Sequence, residues 1–314
     1  MARNGIALLF PGQGAQYVGM GKDLADSYPA ARKVFAAADE VLGFSISDLC
    51  FNGPKTQLTL TKITQPAITA VSMACWSVLL EYGIVPDAAA GLSLGEYGAL
   101  VAAGSLDVRT AVWLVHERGR LMQDTIPPGE GAMGAVLGLT ADIVDRICCS
   151  VTGGEKVEVA NYNCPGQVVI AGHTAAVAAA GKLAESHGAR FIPLDVSSPF
   201  HTSLLSPAGE KLAAILARVD IKAPKIPVVA NVSANYVTTA EAVKKSLIEQ
   251  VSSAVRWEES IRRMLADGYE TFIEVGPGKV LSGFLKRIAR TARCFNVYDL
   301  FSLKKSLAEL KGVS

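Results

Sequence analysis

Across 314 residues, 30 Lys+Arg nearly balance 29 Asp+Glu, and a net charge of +1 with 19% charged residues excludes nucleic-acid binding by bulk electropositivity. Half of the residues are hydrophobic and only 14 are Pro, which excludes a disordered or collagen-like chain. A chain of this size buries roughly 75% of the surface exposed when unfolded, enough for a large core plus a smaller unit without disulfide or metal. The six cysteines (Cys50, Cys75, Cys148, Cys149, Cys164, Cys294) form no C-x-x-C pair and read as small buried hydrophobes in a reducing compartment. The N-terminal apolar run, 6–10, is too short for a signal peptide. The uncharged stretch 63–80 holds Gln65, Pro66 and several hydroxyls, which suits a core helix better than a membrane span. These features point to a soluble, cytoplasmic protein.

In chain order, 6–10 reads as a buried strand ending in the tight loop Pro11-Gly12-Gln13-Gly14. Helices are expected at 30–41 and 67–82, a short central strand at 86–91, and helices at 93–103 and 107–124. Pro127-Pro128-Gly129 marks a linker, after which the grammar changes. Strand 132–139, helix 141–150, strands 157–162 and 167–171, helix 175–186 and strand 190–196 follow in β-α-β-β-α-β order, a ferredoxin-like insert. The larger pattern then resumes with helix 207–218, strand 226–230, helices 239–251 and 257–267, strand 271–275 and a helix after Gly276-Pro277-Gly278. Nearly all-apolar strands alternating with helices imply a parallel sheet covered on both faces. The fold class is therefore α/β: a large unit at 1–127 and 199–314, with a small unit at 128–198 inserted.

Gly91-Leu92-Ser93-Leu94-Gly95 matches G-x-S-x-G, the strand-to-helix turn that lifts a serine oxygen above a sheet edge. Ser between glycines also makes an ordinary helix cap, so the pattern alone is weak. A nucleophilic serine requires a base. Of the four histidines, His187 reads as a helix C-cap, His173 follows a turn in the small module, and His116 lies beside Glu117 on a polar helix side. His201 sits in the loop Ser197-Ser198-Pro199-Phe200-His201, where the chain returns from the insert, and is the best base.

Arg118 is flanked at helical spacing by Leu114, Val115, Leu121 and Met122, whereas Arg120 is flanked by His116, Glu117, Gln123 and Asp124. Arg118 therefore leaves the apolar stripe and needs an anion, either a protein carboxylate or a substrate carboxylate held bidentately. Other motifs fail. Tyr17 stands where a dinucleotide fingerprint needs glycine, Met20 where a P-loop needs Lys, and no His/Cys/carboxylate cluster has metal-ligand spacing.

The ordered blocks Phe10-Pro-Gly-Gln-Gly-Ala-Gln16, Gln65-Pro66, Gly91-Leu-Ser-Leu-Gly-Glu-Tyr97, Arg118-Gly119, Met122-Gln123, Asn161-Tyr-Asn-Cys-Pro-Gly-Gln167, Pro199-Phe-His201, Val255-Arg-Trp257 and Gly276-Pro-Gly-Lys279 resemble the malonyl-CoA:acyl carrier protein transacylase family of fatty-acid and polyketide synthesis. The resemblance runs essentially the whole chain. It implies an α/β-hydrolase-like large subdomain with a ferredoxin-like insert, and malonyl transfer from malonyl-CoA to the carrier thiol. It implies Ser93 as nucleophile, His201 as base, and backbone N–H groups of Gln13 and Leu94 as the oxyanion hole. It also implies Arg118 as clamp for the malonyl carboxylate and a main-chain carbonyl at Gln250 orienting His201. Phe200 and Leu94 look like the malonyl-preferring pattern. Exchange between thioesters implies no cofactor, and the resemblance implies neither nucleic acid nor membrane as partner. The family often has His before the nucleophile, and here it is Leu92, so no base stands there. An unperturbed His201 predicts acylation that weakens below about pH 6.5. A serine thioesterase or hydrolase of the same elbow type is the alternative, with Asp195 before His201 in Ser…Asp…His order. Lys279, Lys286 and Arg287 are read as solvated charge, with contact to an acidic carrier as the sharper alternative.

Overall fold

The computed structural model describes residues 3–196 and 198–311, so Ser197 of the return loop and the extreme termini lie outside the described residues. The chain begins with β1 (Arg3–Phe10), α1 (Lys22–Ser27), α2 (Pro29–Leu42), α3 (Ile46–Asn52), α4 (Lys55–Leu58), α5 (Thr61–Glu81), β2 (Ala88–Gly91), α6 (Gly95–Ala102) and α7 (Val108–Thr125). It continues with β3 (Gly131–Leu137), α8 (Ala141–Ser150), β4 (Val157–Cys164), β5 (Gln167–His173), α9 (Thr174–Ser186) and β6 (Arg190–Pro193). The last third holds α10 (Ser206–Leu216), β7 (Val228–Val229), β8 (Tyr236–Val237), α11 (Ala240–Gln250), α12 (Trp257–Ala266), β9 (Tyr269–Val275), α13 (Val280–Ile288), β10 (Arg293–Val297) and α14 (Leu300–Lys311).

The large sheet has the order β10-β9-β1-β2-β7-β8 and is parallel except for the antiparallel pair β7–β8. The all-parallel sheet expected from the sequence thus ends in a two-residue antiparallel edge. Successive residues of β1 serve opposite faces. Leu8 and Phe10 join the cluster packed by α2, α5 and α7, while Ala7 and Leu9 join the one packed by α12 and α13. That is why the strand reads as an unbroken apolar run rather than an alternation.

The small sheet, β4-β5-β3-β6, is antiparallel throughout, the strand order of a ferredoxin-like βαββαβ module. Its two faces divide by the same period of two. Val136, Val168 and Ile170 pack on α8 and α9, while Met133, Ala135, Val169 and Ala171 turn into the main core. The Val255 N–H donates to Ala160 O (2.8 Å) and the Tyr162 N–H to Val255 O (2.9 Å), tying β4 to the loop before α12.

Several elements depart from expectation. Helix α5 starts at Thr61 rather than 67, because Pro66 is accommodated inside it. Pro66 offers no N–H to Lys62 O, and the His116 ring donates there instead from Nδ1 at 2.8 Å. His116 is therefore a structural patch between α5 and α7. Helix α5 is long and apolar enough to cross a membrane, yet 83% of its apolar window is buried inside the protein, as the core-helix reading expects. Helices α1, α3, α4 and α14 and strands β8 and β10 were not expected from the sequence. All six cysteines are free thiols, and Cys149 is exposed rather than buried because adjacent helical residues face different ways.

Candidate active site

The G-x-S-x-G segment turns sharply from β2 into α6. A Cβ on Gly91 would sit 1.9 Å from Gly95 C and O, and a Cβ on Gly95 would sit 2.1 Å from Phe10 O. Only two glycines let strand, turn and helix approach this closely. Ser93 itself holds φ 54°, a left-handed conformation unusual for serine. The helix begins at Gly95 with Leu94 as its cap, two residues later than expected, so Ser93 lies in the turn just ahead of the helix N-terminus. The strained turn is braced from behind by Asn231. Its Oδ1 accepts the Ser93 N–H (2.6 Å), and its Nδ2 donates to Gly91 O (2.7 Å). Asn231 follows β7 and was not singled out from the sequence, where a lone Asn after a strand carries no signal.

His201, also at positive φ (62°), comes from the loop returning out of the small unit and is buried beside Ser93. Its Nε2 lies 2.7 Å from Ser93 Oγ, and its Nδ1 lies 2.8 Å from the main-chain carbonyl of Gln250. A carbonyl only accepts, so Nδ1 carries the proton and the unprotonated Nε2 faces the serine hydroxyl. Burial, and then the nearby Arg118 charge, push the imidazole down to about 3. The expectation of a fall in acylation near pH 6.5 assumed an unperturbed histidine, and this shift moves the expected fall to lower pH. Asp195 is exposed at the cleft, and the Gln250 carbonyl occupies the position an Asp would take in a Ser-His-Asp arrangement.

Arg118 is 1% exposed. Its Nη1 donates to Gln65 Oε1 (2.8 Å), and its Nη2 to Ser93 Oγ (3.1 Å) and Gln250 Oε1 (2.8 Å). None of the ion pairs among the described residues includes it, so the protein-carboxylate partner left open by the sequence is not what holds it. Burial pushes the guanidinium down from its ordinary range. Arg120, as expected, pairs on the surface with Glu117 (2.7 Å) and Asp124 (3.8 Å).

Ser93, His201 and Arg118 open together into a cleft of about 460 Å³ between the loops of the large sheet and the inner face of the small one. Gln13, Phe200 and Leu92 line it on the large side, and Met133, Asn161, Asn163 and Val169 on the small side. The N–H groups of Gln13 and Leu94 make no hydrogen bond among the described residues. The Asn163 side-chain oxygen is likewise buried without a partner there. Leu92 packs against Gly12 of the loop after β1 and fills with hydrocarbon the place where the family often has His. Arg287 is exposed, as the reading of solvated charge expects, and it also donates to Gln167 Oε1 (2.9 Å) and Pro165 O (2.8 Å), joining α13 to the β4–β5 turn. Among the described residues no group of His, Cys, Asp or Glu is placed to hold a metal ion.

Residues 7–307 match the acyl transferase domain family. The malonyl CoA-acyl carrier protein transacylase of Bacillus subtilis is 48% identical over 308 residues, covering 98% of this chain and 97% of that protein. An acyl carrier protein S-malonyltransferase from Vibrio cholerae superposes with a TM-score of 0.93 at 46% identity, covering 96% of this chain and 99% of that one. A malonyl-transacylase in complex with its type II PKS acyl-carrier protein superposes with a TM-score of 0.95 at 43% identity, covering 97% and 99%. On both its sequence and its fold, the chain belongs to the acyl transferase family and, within it, to the malonyl CoA-acyl carrier protein transacylases.

Proposed function

We propose that this protein transfers the malonyl group of malonyl-CoA to the phosphopantetheine thiol of an acyl carrier protein, through a malonyl ester on Ser93. The observation that carries this reading is the convergence on one hydroxyl: Ser93 Oγ lies 2.7 Å from His201 Nε2 and 3.1 Å from Arg118 Nη2. Ser93 attacks the thioester carbonyl while its proton passes to His201 Nε2, and His201 returns that proton to the departing CoA thiolate. The N–H groups of Gln13 and Leu94 receive the oxyanion. Arg118 exchanges its contact with Ser93 Oγ for the malonyl carboxylate, and Phe200 shapes the acyl pocket. The carrier thiol then gives its proton to His201 and attacks the ester carbonyl, and His201 hands that proton to the departing Ser93 oxygen, restoring the hydroxyl. Gln250 holds the imidazole tautomer through its carbonyl. One thioester replaces another, so the sequence of steps calls for no cofactor.

The working parts come from residues 1–127 and 199–314, with 128–198 closing the cleft as an inserted subdomain. Fatty-acid synthesis in the cytoplasm is the setting this reading assigns. Incubation with malonyl-CoA followed by peptide mapping tests it: a malonyl adduct on Ser93, discharged by carrier thiol faster than by water and absent in Ser93→Ala, is expected. An adduct on another residue, or hydrolysis faster than transfer, overturns it.

A further inference from the structure

Beneath the nucleophile turn lies a second buried charge that the steps above leave unused. Glu96, in the first turn of α6, is 1% exposed. Its Oε2 accepts the Asn231 N–H (2.9 Å) and Gln250 Nε2 (2.7 Å), and its Oε1 accepts Ser246 Oγ (3.0 Å). All of those donors are neutral, as are the three acceptors around Arg118. A buried charge is costly unless an opposite charge or a full set of hydrogen bonds offsets it. One side chain touches both charges. Gln250 accepts from Arg118 Nη2 at Oε1 (2.8 Å) and donates from Nε2 to Glu96 (2.7 Å). The amide has no freedom to flip, because reversal would set its NH2 group against the guanidinium and its oxygen against the carboxylate.

The geometry points to Glu96 as the counter-charge of Arg118, held one amide away through Gln250, and to this spacing as a determinant of how strongly the cleft favours a carboxylated acyl chain. A direct Arg–Glu salt bridge would occupy the guanidinium fork that a substrate carboxylate needs. With Gln250 interposed, Arg118 keeps its charge balanced while the edge facing Ser93 stays available. Burial pushes the Glu96 carboxyl up and the Arg118 guanidinium down, and each charge opposes that shift in the other. The same residue presents its carbonyl to His201, so the acid–base and charge-recognition parts share one scaffold. Glu96 touches neither substrate nor reacting atoms and is a positioning residue. The selectivity half of the inference rests on the malonyl-transfer reading, whereas the charge pairing does not.

Glu96→Gln separates charge from shape. The amide oxygen accepts from Asn231 and Gln250 as before, and the amide nitrogen faces Ser246 Oγ, which turns to accept. The expected result is a malonyl-CoA KM for acylation lower by at least about threefold with kcat not raised, since a substrate carboxylate becomes the missing counter-charge. Acetyl-CoA, which lacks that carboxylate, gains nothing, so the malonyl-to-acetyl ratio rises. An unchanged or lower ratio overturns the selectivity assignment. A melting-temperature cycle of Glu96→Gln, Arg118→Met and the double variant tests the pairing without activity. Each single loss is expected to lower the melting temperature, and the double variant to recover part of the sum. Additive losses, or a double variant that fails to fold, overturn the pairing. A wild-type enzyme that forms no malonyl-Ser93 would sink the transfer reading, while the melting cycle would still decide the pairing.

Discussion

Replacing Asn231 by leucine isolates the brace behind Ser93, the proposed nucleophile. The side chain keeps its approximate size, but the Ser93 N–H and the Gly91 carbonyl lose their partners at 2.6 and 2.7 Å. Each unsatisfied buried group costs about 1–3 kcal/mol, so an elbow that stays in place loses about 2–6 kcal/mol. Ser93 at φ 54° stores strain of about 1–3 kcal/mol that is released if the turn relaxes. The chain takes the cheaper course, so denaturant unfolding is expected to report a loss near the lower end, about 2–3 kcal/mol. Relaxation carries Ser93 Oγ away from His201, now 2.7 Å distant, and the general-base assistance proposed for His201, about 100- to 10,000-fold, is forfeited. Single-turnover malonylation of Ser93 should therefore fall far more than stability does. Asn231→Asp keeps the acceptor for Ser93 but turns an oxygen toward the Gly91 carbonyl, and should fall between wild type and leucine. Acylation by Asn231→Leu within about twofold of wild type would refute the claim that this brace holds the nucleophile.

The acylation rate should stay level as pH falls from 8 to 5, because folded His201 remains neutral down to about 3; a midpoint near 6.5 would return the imidazole to its ordinary behaviour and remove the burial argument. Between those two values the unfolded chain binds a proton here that the folded chain does not, so this residue lowers stability by about 1.4 kcal/mol per pH unit below 6.5, measurable by denaturation across pH against His201→Gln. Gly91→Ala forces a Cβ to 1.9 Å from Gly95 C and O, which no rotamer relieves; loss of the soluble fold or of more than about 3 kcal/mol is expected, and a wild-type unfolding midpoint would contradict it.

Particular residues show how far the sequence reached. The elbow, the run 6–10 and the order of the small module are legible because strand and helix periods and the glycine pair are local properties. Arg118 was legible for a similar reason: a charge among Leu114, Val115, Leu121 and Met122 breaks its helix stripe, and the structure buries it to 1% exposure. The short helices α1, α3 and α4 were not, since too few residues are involved for periodicity to rise above composition. Asn231, Gln65, Ser246 and Glu96 carry no local mark of their meeting, because the hydrogen bonds joining them to one another and to Ser93, Arg118 and Gln250 span up to 154 residues.

By itself the sequence determined most of the longer secondary elements and the order of the small module, and it singled out a serine, a histidine and an arginine, because strand and helix periods and the glycine pair are properties of near neighbours. Tertiary structure decided what those groups are like. It buried the imidazole and so moved its titration, set an amide rather than a carboxylate against the guanidinium, and placed a second charge one hydrogen bond further on. Solvent exclusion and long-range contact create those properties, and neither exists until the two sheets have closed on the cleft.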